Sequence, residues 1–392
     1  MTVDQMSYKT ILPGSTIGIL GGGQLGRMMT LSGTAMGYRF ITLDPTPESP
    51  CGQIARQIQA DYDDVEAARE LAGQADVITY EFENVDAGVA ELLSKESHVP
   101  QGSELLYTTQ HRLREKRAIE AAGVPVAPYR EITSLSSLQQ AVEELDLPSV
   151  LKTATGGYDG KGQVVLRSLD QVEPAYHELA ASGRELVLEQ FIDFQCEISV
   201  IAARSPQGEV KSFPVSENIH VNNILHLSIV PARVSDQVQR EARRLAERLV
   251  VHLNAVGLLA VELFVTESGQ LYVNELAPRP HNSGHYTMEA CSTSQFEQHV
   301  RAICNLPLGD AELMTPVVMV NVLGQHLEEV VKITGQKDGS VNEFGVIPKL
   351  HLYGKEESKV GRKMGHINLL CADVQHGIDW VEQTNIWRQD HL

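Results

Sequence analysis

Short apolar runs separated by polar stretches of helical period set out most of the chain's elements. Thr16 to Leu20 predicts a buried strand that runs directly into a glycine turn and a helix over Arg27 to Met36. Phe40 to Leu43, Asp76 to Tyr80 and Val99 to Gly102 predict the further strands of an N-terminal α/β unit. Ser103 to Ala122 reads as one long polar helix, closed by Gly123 and a Pro125 to Pro128 stretch where a domain boundary is expected. A strand carrying Lys152, a glycine-rich turn and a returning strand through Val165 follow, then strands at Arg184 to Leu188 and Glu197 to Ala203. Beyond Leu306 to Gly309, Val317 to Leu323 and Leu350 to Tyr353 predict a small β-rich piece.

The strongest pattern lies between Leu258 and His285. Leu258 to Val265 and Gln270 to Leu276 flank the turn-forming Thr266 to Gly269 and predict a β-hairpin. With Val265 opposite Gln270, Glu262 faces Val273, and Glu275 is its diagonal neighbour on the same face, roughly 7–8 Å away. Such a pair suits a divalent cation that also carries phosphate oxygens, although two water-facing glutamates fit the same pattern. Pro278, Arg279, Pro280, His281, Asn282 and Ser283 then place cationic and polar groups on a backbone stiffened by prolines, an arrangement suited to anions. The spacing of His281 and His285 suggests zinc only superficially, because H-E-x-x-H is absent and the prolines disfavour a helix.

Composition narrows the partners. The 392 residues include 32 Lys plus Arg against 51 Asp plus Glu, and the net charge of -19 argues against a nucleic-acid surface. Small anions must therefore be held by local cations. The 5 cysteines are scattered and form no C-x-x-C pair, which predicts reduced thiols in a cytoplasmic protein. No leader pattern or membrane-length apolar run is read in the sequence, so no membrane partner is expected.

Gly21, Gly23 and Gly26 match G-x-G-x-x-G, and Asp44 ends the next strand. Glycines there let backbone approach an anion at a helix N-terminus; a dinucleotide, another phosphate or a purely structural turn all satisfy the motif. If the sheet is parallel, Gly21 to Gly26, Asp44 and Glu81 to Asn84 share its carboxyl rim, and Glu81 is either a substrate contact or part of a solvated loop. The basic run His111 to Arg117 reads as a solvated helix face, with Arg112 near the domain junction. Thr155 to Gly162 departs from a Walker loop, since Thr155 replaces the first glycine, Gly162 the hydroxyl residue, and a strand follows. A mobile flap over phosphates, with Lys152 and Lys161 as counter-charges, fits better. The break at Glu189, Gln190, Phe191 and Ile192 suits an adenine edge and Glu197 suits ribose hydroxyls, or the segment is a plain strand connection. Lys355, Lys359, Arg362 and Lys363 gather in a turn that suits a phosphate or a solvated hairpin.

This order of a lysine strand, a glycine flap, Glu189 to Ile192, Glu197 and the carboxylate hairpin resembles the ATP-grasp superfamily. Three stretches narrow the resemblance to the N5-carboxyaminoimidazole ribonucleotide synthetase family of purine biosynthesis: Gly21 to Met28, Gly157 to Gln163 and Asn274 to His285. Ala277, where many ATP-grasp enzymes carry a metal-binding asparagine, follows that family's pattern.

The implied fold combines α/β and α+β parts. A Rossmann-like pre-ATP-grasp domain is expected over 1–115, a two-lobed ATP-grasp domain over 116–309 with its flap lobe at about 120–190, and a small β-rich C-terminal domain over 310–392. The resemblance implies that Arg112, Lys152, Gly157, Tyr158, Asp159, Gly160, Lys161, Gly162, Gln163, Glu189 to Ile192, Glu197, His220, Asn274 and Glu275 bind ATP. It implies that Glu262 and Glu275 hold Mg²⁺, with Mn²⁺ as the alternative, and that Gly23, Gln24, Leu25, Glu81, Lys355 and Arg362 bind aminoimidazole ribonucleotide. Arg279, His281, Asn282, Tyr158 and Asp159 are the implied catalytic residues, the first three holding bicarbonate and its phosphorylated form. A homodimer is expected. The rival readings are a formate-using ribonucleotide transformylase, an amino-acid ligase, an NAD-dependent oxidoreductase and a non-catalytic nucleotide sensor.

Overall fold

The computed structural model describes residues 9–156, 161–335 and 345–387. Its N-terminal part is a parallel sheet of β1 (Thr16–Leu20), β2 (Arg39–Leu43), β3 (Arg56–Ile58) and β4 (Val77–Tyr80), in the order β3-β2-β1-β4. Helices Gln24–Ala35, Val65–Gln74 and Ala87–Glu96 accompany it; the first starts earlier than the apolar pattern predicts, because the glycine turn closes at Gly23. The expected strand at Val99 to Gly102 is absent. Pro100 has no N–H to give a ladder, and the Gly102 N–H turns back to the Val99 carbonyl at 2.9 Å. Arg56–Ile58 takes the fourth place. The strand order reverses between β1 and β4, so the glycine turn and the segment after Tyr80 meet at the switch point of the sheet.

The predicted long polar helix is two helices, Glu104–Thr109 and Arg112–Ala121. The break has partners that a continuous helix would deny it: Gln110 Nε2 donates to the Glu83 and Val85 carbonyls at 2.7 and 2.8 Å, and the Arg112 N–H donates to the Ala154 carbonyl at 2.9 Å. Nor is the basic run uniformly solvated, since Glu115 and Lys116 are buried. Next come β5 (Tyr129–Ile132), β6 (Ser149–Thr153), β7 (Gln163–Leu166) and β8 (Leu186–Gln190), an antiparallel sheet in the order β5-β8-β6-β7. Helices Leu135–Leu145 and Val172–Ala180 bury Leu138, Val142, Val172 and Leu179 against Leu151 and Leu188 of this sheet.

The remaining strands form one nine-stranded sheet. They are β9 (Cys196–Arg204), β10 (Val210–Ser212), β11 (Ser216–Val221), β12 (Ile224–Val230), β13 (Gly257–Val265), β14 (Leu271–Ala277), β15 (Val317–Leu323), β16 (Ile347–Leu352) and β17 (Lys363–Leu370). The order is β14-β13-β9-β11-β12-β15-β17-β16, with β10 on β9, so the C-terminal strands extend the central sheet through the β12–β15 pair. Amphipathic helix Asp236–His252 buries Val238, Ala242, Leu245 and Leu249 against it. Helix Gln295–Ile303 joins this sheet to the N-terminal part, with Phe296, Val300 and Ile303 in one core with Ile17, Met28 and Met29.

The β13–β14 hairpin differs from the predicted register. Gln270 belongs to the loop, where its carbonyl accepts from the Thr266 N–H at 3.0 Å, so Val265 pairs with Leu271. A bulge at Asn274 then shifts the ladder: Leu263 pairs with Val273, but Glu262 pairs with Glu275. The two carboxylates are direct cross-strand neighbours and not diagonal ones. As the sheet's edge, β14 is covered: the Val273 N–H donates to the Pro125 carbonyl, and the Leu276 N–H donates to Glu115 Oε1, both at 2.8 Å.

Candidate active site

A cleft of about 580 Å³ is lined by the β5–β8 sheet on one side and by β9, β11, β13 and β14 on the other. Lys152, Lys161, Gln163, Glu189, Gln190, Phe191 and Ile192 line it from the first side, and Glu197, His220, Glu262, Asn274 and Glu275 from the second. Arg112, Glu83, Arg279, His281, Asn282 and Lys363 close it from neighbouring segments. Gly157, Tyr158, Asp159 and Gly160 lie outside the described residues. Gly162 does not line the cleft; its carbonyl accepts from the Thr153 N–H at 2.8 Å, tying the end of the flap to β6.

Glu189 organises the cationic wall. Its Oε2 lies 3.0 Å from Lys152 Nζ and 3.2 Å from Lys116 Nζ, with all three groups buried. Burial alone would raise the Glu189 carboxyl, but Lys152, Lys116 and Arg112 outweigh it and hold the group at about 2. Lys152 itself is pushed below its usual value, because burial outweighs its share of one carboxylate. That wall holds spare positive charge. Beside it, Phe194 and Phe264 stack at 4.6 Å, and His220 Nδ1 lies 3.3 Å from Glu197 Oε1. Burial pulls the imidazole down, but the Glu197 hydrogen bond and charge raise it.

At the other end, the bulge lets Asn274 and Glu275 both line the cleft, although they are sequence neighbours. Burial and then the Glu275 charge raise the Glu262 carboxyl, while His220 and Arg279 pull it back. Arg112 Nη1 comes only to 4.0 Å of Glu275. Two hard oxygen donors facing each other across one rung fit Mg²⁺ or Mn²⁺, which take the rest of their shell from water and phosphate. Next to them Arg279 is ion-paired through Nε with Glu83, and His281 Nε2 lies 3.3 Å from Glu262 Oε1. Burial, then Arg279, keeps His281 far below its ordinary value. Asn282 is half-buried and lines the cleft, and its buried Oδ1 and Nδ2 have no hydrogen-bond partner among the described residues.

A second cluster sits behind Glu83, at the rim of the parallel sheet. The Glu81 carboxylate accepts from the backbone N–H groups of Gly23 and Gly26, filling the anion site at the start of the first helix. Leu25 turns its side chain into the core, leaving Gln24 partly exposed at the turn. Asp44 accepts from the Gly22 N–H at 2.7 Å, the Tyr62 hydroxyl at 2.6 Å and the Thr46 N–H at 2.8 Å. Its oxygens are thus engaged in holding the turn, which removes the ribose reader that a dinucleotide site requires. Lys355 comes from the C-terminal segment to this rim. Burial, then Arg362 and Lys363, push it down to about 8, while Glu81 pulls the other way. Lys355 Nζ donates to the Lys363 carbonyl at 2.9 Å, and the Lys363 side chain reaches the main cleft. The two clusters therefore adjoin through Glu83, Arg279 and Lys363.

Family models match in sequence: a ribonucleotide synthetase preATP-grasp domain over residues 14–110, an ATP-grasp domain over 117–296, and a phosphoribosylaminoimidazole carboxylase C-terminal domain over 317–378. The N5-carboxyaminoimidazole ribonucleotide synthase of Bacillus subtilis is 52% identical over 384 residues, 97% of this chain and 98% of that protein. The chain belongs to the N5-carboxyaminoimidazole ribonucleotide synthase family, whose members are ATP-grasp ligases. An ADP complex of a synthetase of that name is 54% identical with a TM-score of 0.92, covering 98% of this chain and 99% of that one. The Aspergillus clavatus synthase, solved with ADP and 5-aminoimidazole ribonucleotide, is 31% identical with a TM-score of 0.85, covering 95% and 98%. These relatives do not favour a formate-using transformylase.

Within this synthase-family site, motif reading placed Glu83 at the rim without a role, and missed Glu115 and Lys363 on the lining and Lys116 behind it. Lys363 was visible as one of the cations in the basic turn. Lys116 carried no signal, because a buried lysine and a solvated one look alike in a helical run.

Proposed function

We propose that the cleft phosphorylates bicarbonate with ATP and that the activated carboxyl is transferred to the exocyclic amine of 5-aminoimidazole ribonucleotide. The products are N5-carboxyaminoimidazole ribonucleotide, ADP and phosphate, made in de novo purine biosynthesis. The observation that carries this is that Lys152 and Lys161, Glu262 and Glu275, and Arg279, His281 and Asn282 line one continuous cleft. Relatives solved with ADP and with the ribonucleotide support it.

Phe191 and Ile192 offer the apolar wall for adenine, and Glu197 with His220 the ribose contacts. Lys152, Lys161 and Arg112 bind the phosphates, with Glu189 preventing Lys152 from swinging away. Magnesium on Glu262 and Glu275 neutralises and aligns the phosphates when bound. Arg279, fixed by Glu83, and the open amide of Asn282 hold bicarbonate in line with the γ-phosphorus. Carboxyphosphate, or CO₂ released from it, then meets the amine in a site closed to water. Lys355 and Arg362 hold the 5′-phosphate, and Glu81, with Gly23, Gln24 and Leu25, the ribose side of the acceptor.

We assign 1–115, 116–309 and 310–392 as the domains, and we propose a cytoplasmic homodimer; all 5 cysteines are free, and no described helix is long and apolar enough to cross a membrane. ADP release with Mg-ATP, bicarbonate and aminoimidazole ribonucleotide tests the reaction. Product is expected only with all three, and product formed without the ribonucleotide, or with formate in place of bicarbonate, overturns it.

A further inference from the structure

His281 is gripped at both its backbone and its ring. Gln295, fully buried at the start of helix Gln295–Ile303, accepts from the His281 N–H at 2.9 Å and donates through Nε2 to the His281 carbonyl at 2.8 Å. The ring is then reached by a chain of polar groups that crosses the interior of the sheet. Asn218 Nδ2 donates to Ser199 Oγ at 3.0 Å, Ser199 Oγ donates to Ser283 Oγ at 2.7 Å, and Ser283 Oγ lies 2.9 Å from His281 Nδ1. Upstream, Ser228 Oγ donates to Asn218 Oδ1 at 2.9 Å.

The backbone decides the direction: an N–H can only donate, and that of Ser283 donates to His281 Nδ1 at 3.4 Å. An amide NH₂ likewise only donates, so Ser199 Oγ receives from Asn218, and its one hydrogen goes to Ser283 Oγ at 2.7 Å or to Ser216 Oγ at 2.8 Å. With Ser199 donating to it, Ser283 Oγ has its own hydrogen for His281 Nδ1, at 2.9 Å. A nitrogen that accepts from a hydroxyl and a backbone N–H carries no proton, so in the neutral ring the proton sits on Nε2. Nε2 is the atom 3.3 Å from Glu262 Oε1.

We propose that Ser199 and Ser283 are positioning residues that lock His281 as its Nε2–H tautomer, so that it presents a hydrogen-bond donor, and no basic lone pair, to Glu262 and the cleft. The Nε2 atom lies beside Glu262, 3.3 Å from Oε1. It also provides an N–H for the oxygens of the activated carboxyl, and it removes His281 from the candidates for taking up the amine proton. This last role rests on the bicarbonate reading of the site given above; the tautomer does not.

The test is ¹⁵N NMR of histidine-labelled protein, with His281 assigned by difference from His281→Asn. Wild type should show a protonated Nε2 and an unprotonated Nδ1, whereas Ser283→Ala and Ser199→Ala should show both tautomers exchanging and Ser199→Thr, which keeps the hydroxyl, the wild-type pattern. A protonated Nδ1 in wild type, or an unchanged pattern in both alanine variants, overturns the lock. Ser283→Ala should raise the bicarbonate KM about tenfold and the ATP KM by less than about twofold, the worth of one oriented hydrogen bond. If His281→Asn leaves the bicarbonate KM unchanged while the NMR pattern holds, the bicarbonate reading fails and the lock stands. If His281→Asn raises it and Ser283→Ala does not, the lock has no catalytic consequence and the positioning role is overturned. Ser199→Ala, remote from the cleft, gives the same readout should Ser283→Ala fold poorly.

Discussion

Glu275 stands directly across from Glu262 on the neighbouring strand, because Asn274 is left out of the ladder between them. A regular register would have put Asn274 opposite Glu262 and turned Glu275 to the other face. The bulge therefore creates the carboxylate pair.

Replacing Glu275 by Gln removes a proposed metal ligand and little packing. Turnover at saturating Mg²⁺ should fall by at least about 100-fold, with the melting temperature unchanged or slightly raised as like-charge repulsion disappears. ADP release and a thermal melt measure both, and activity that survives reassigns the ion.

Glu189→Gln leaves Lys116 and Lys152 buried without their carboxylate. Urea unfolding should show a loss of about 3 kcal/mol, the usual cost of stranding a buried charge. A loss below about 1 kcal/mol would mean that water or Arg112 rearrangement compensates. Lys116→Met should cost less, because Lys152 remains to neutralise Glu189.

Lys355 is depressed to about 8 by burial, then by Arg362 and Lys363. As pH rises through about 8 it loses its proton and, with it, the proposed counter-charge for the ribonucleotide phosphate, so the ribonucleotide KM should rise between about pH 7 and 9 while the ATP KM stays level. For stability the sign is opposite. Between about 8 and the ordinary lysine value near 10.4, the unfolded chain binds more protons than the folded one, so this group's contribution grows with pH. Lys355→Arg should flatten the KM profile, and a profile unchanged by that substitution would place the titration elsewhere.

Arg362→Ala should raise the ribonucleotide KM far more than the ATP KM, because its neighbours are Lys355 and Glu357 of the basic turn and it does not line the main cleft. Equal effects on the two substrates, measured by steady-state ADP release, would detach this residue from the acceptor.

Period-two runs correctly set out β1, β2, β4, β6, β9, β13 and β15, because each is a continuous apolar or alternating segment whose local pattern is unambiguous. Val99 to Gly102 misled because an apolar residue beside a proline looks like a strand edge until the partner's N–H groups are counted. Ser103 to Ala122 misled because nothing local marks the break; Gln110 leaves the helix to bond carbonyls at Glu83 and Val85.

Local chemistry determined which residue types this protein brings to its cleft: the lysine before a glycine-rich turn, the two hairpin glutamates, and Arg279, His281 and Asn282 beside two prolines. These follow from composition and spacing over a few residues. The tertiary structure alone decided how they meet, because register, burial and hydrogen-bond direction depend on contacts far apart in sequence. It set Glu262 against Glu275 through one unpaired residue, sank Lys116 beneath Glu189, filled the glycine turn with Glu81, and brought Lys355 to that turn from the other end of the chain.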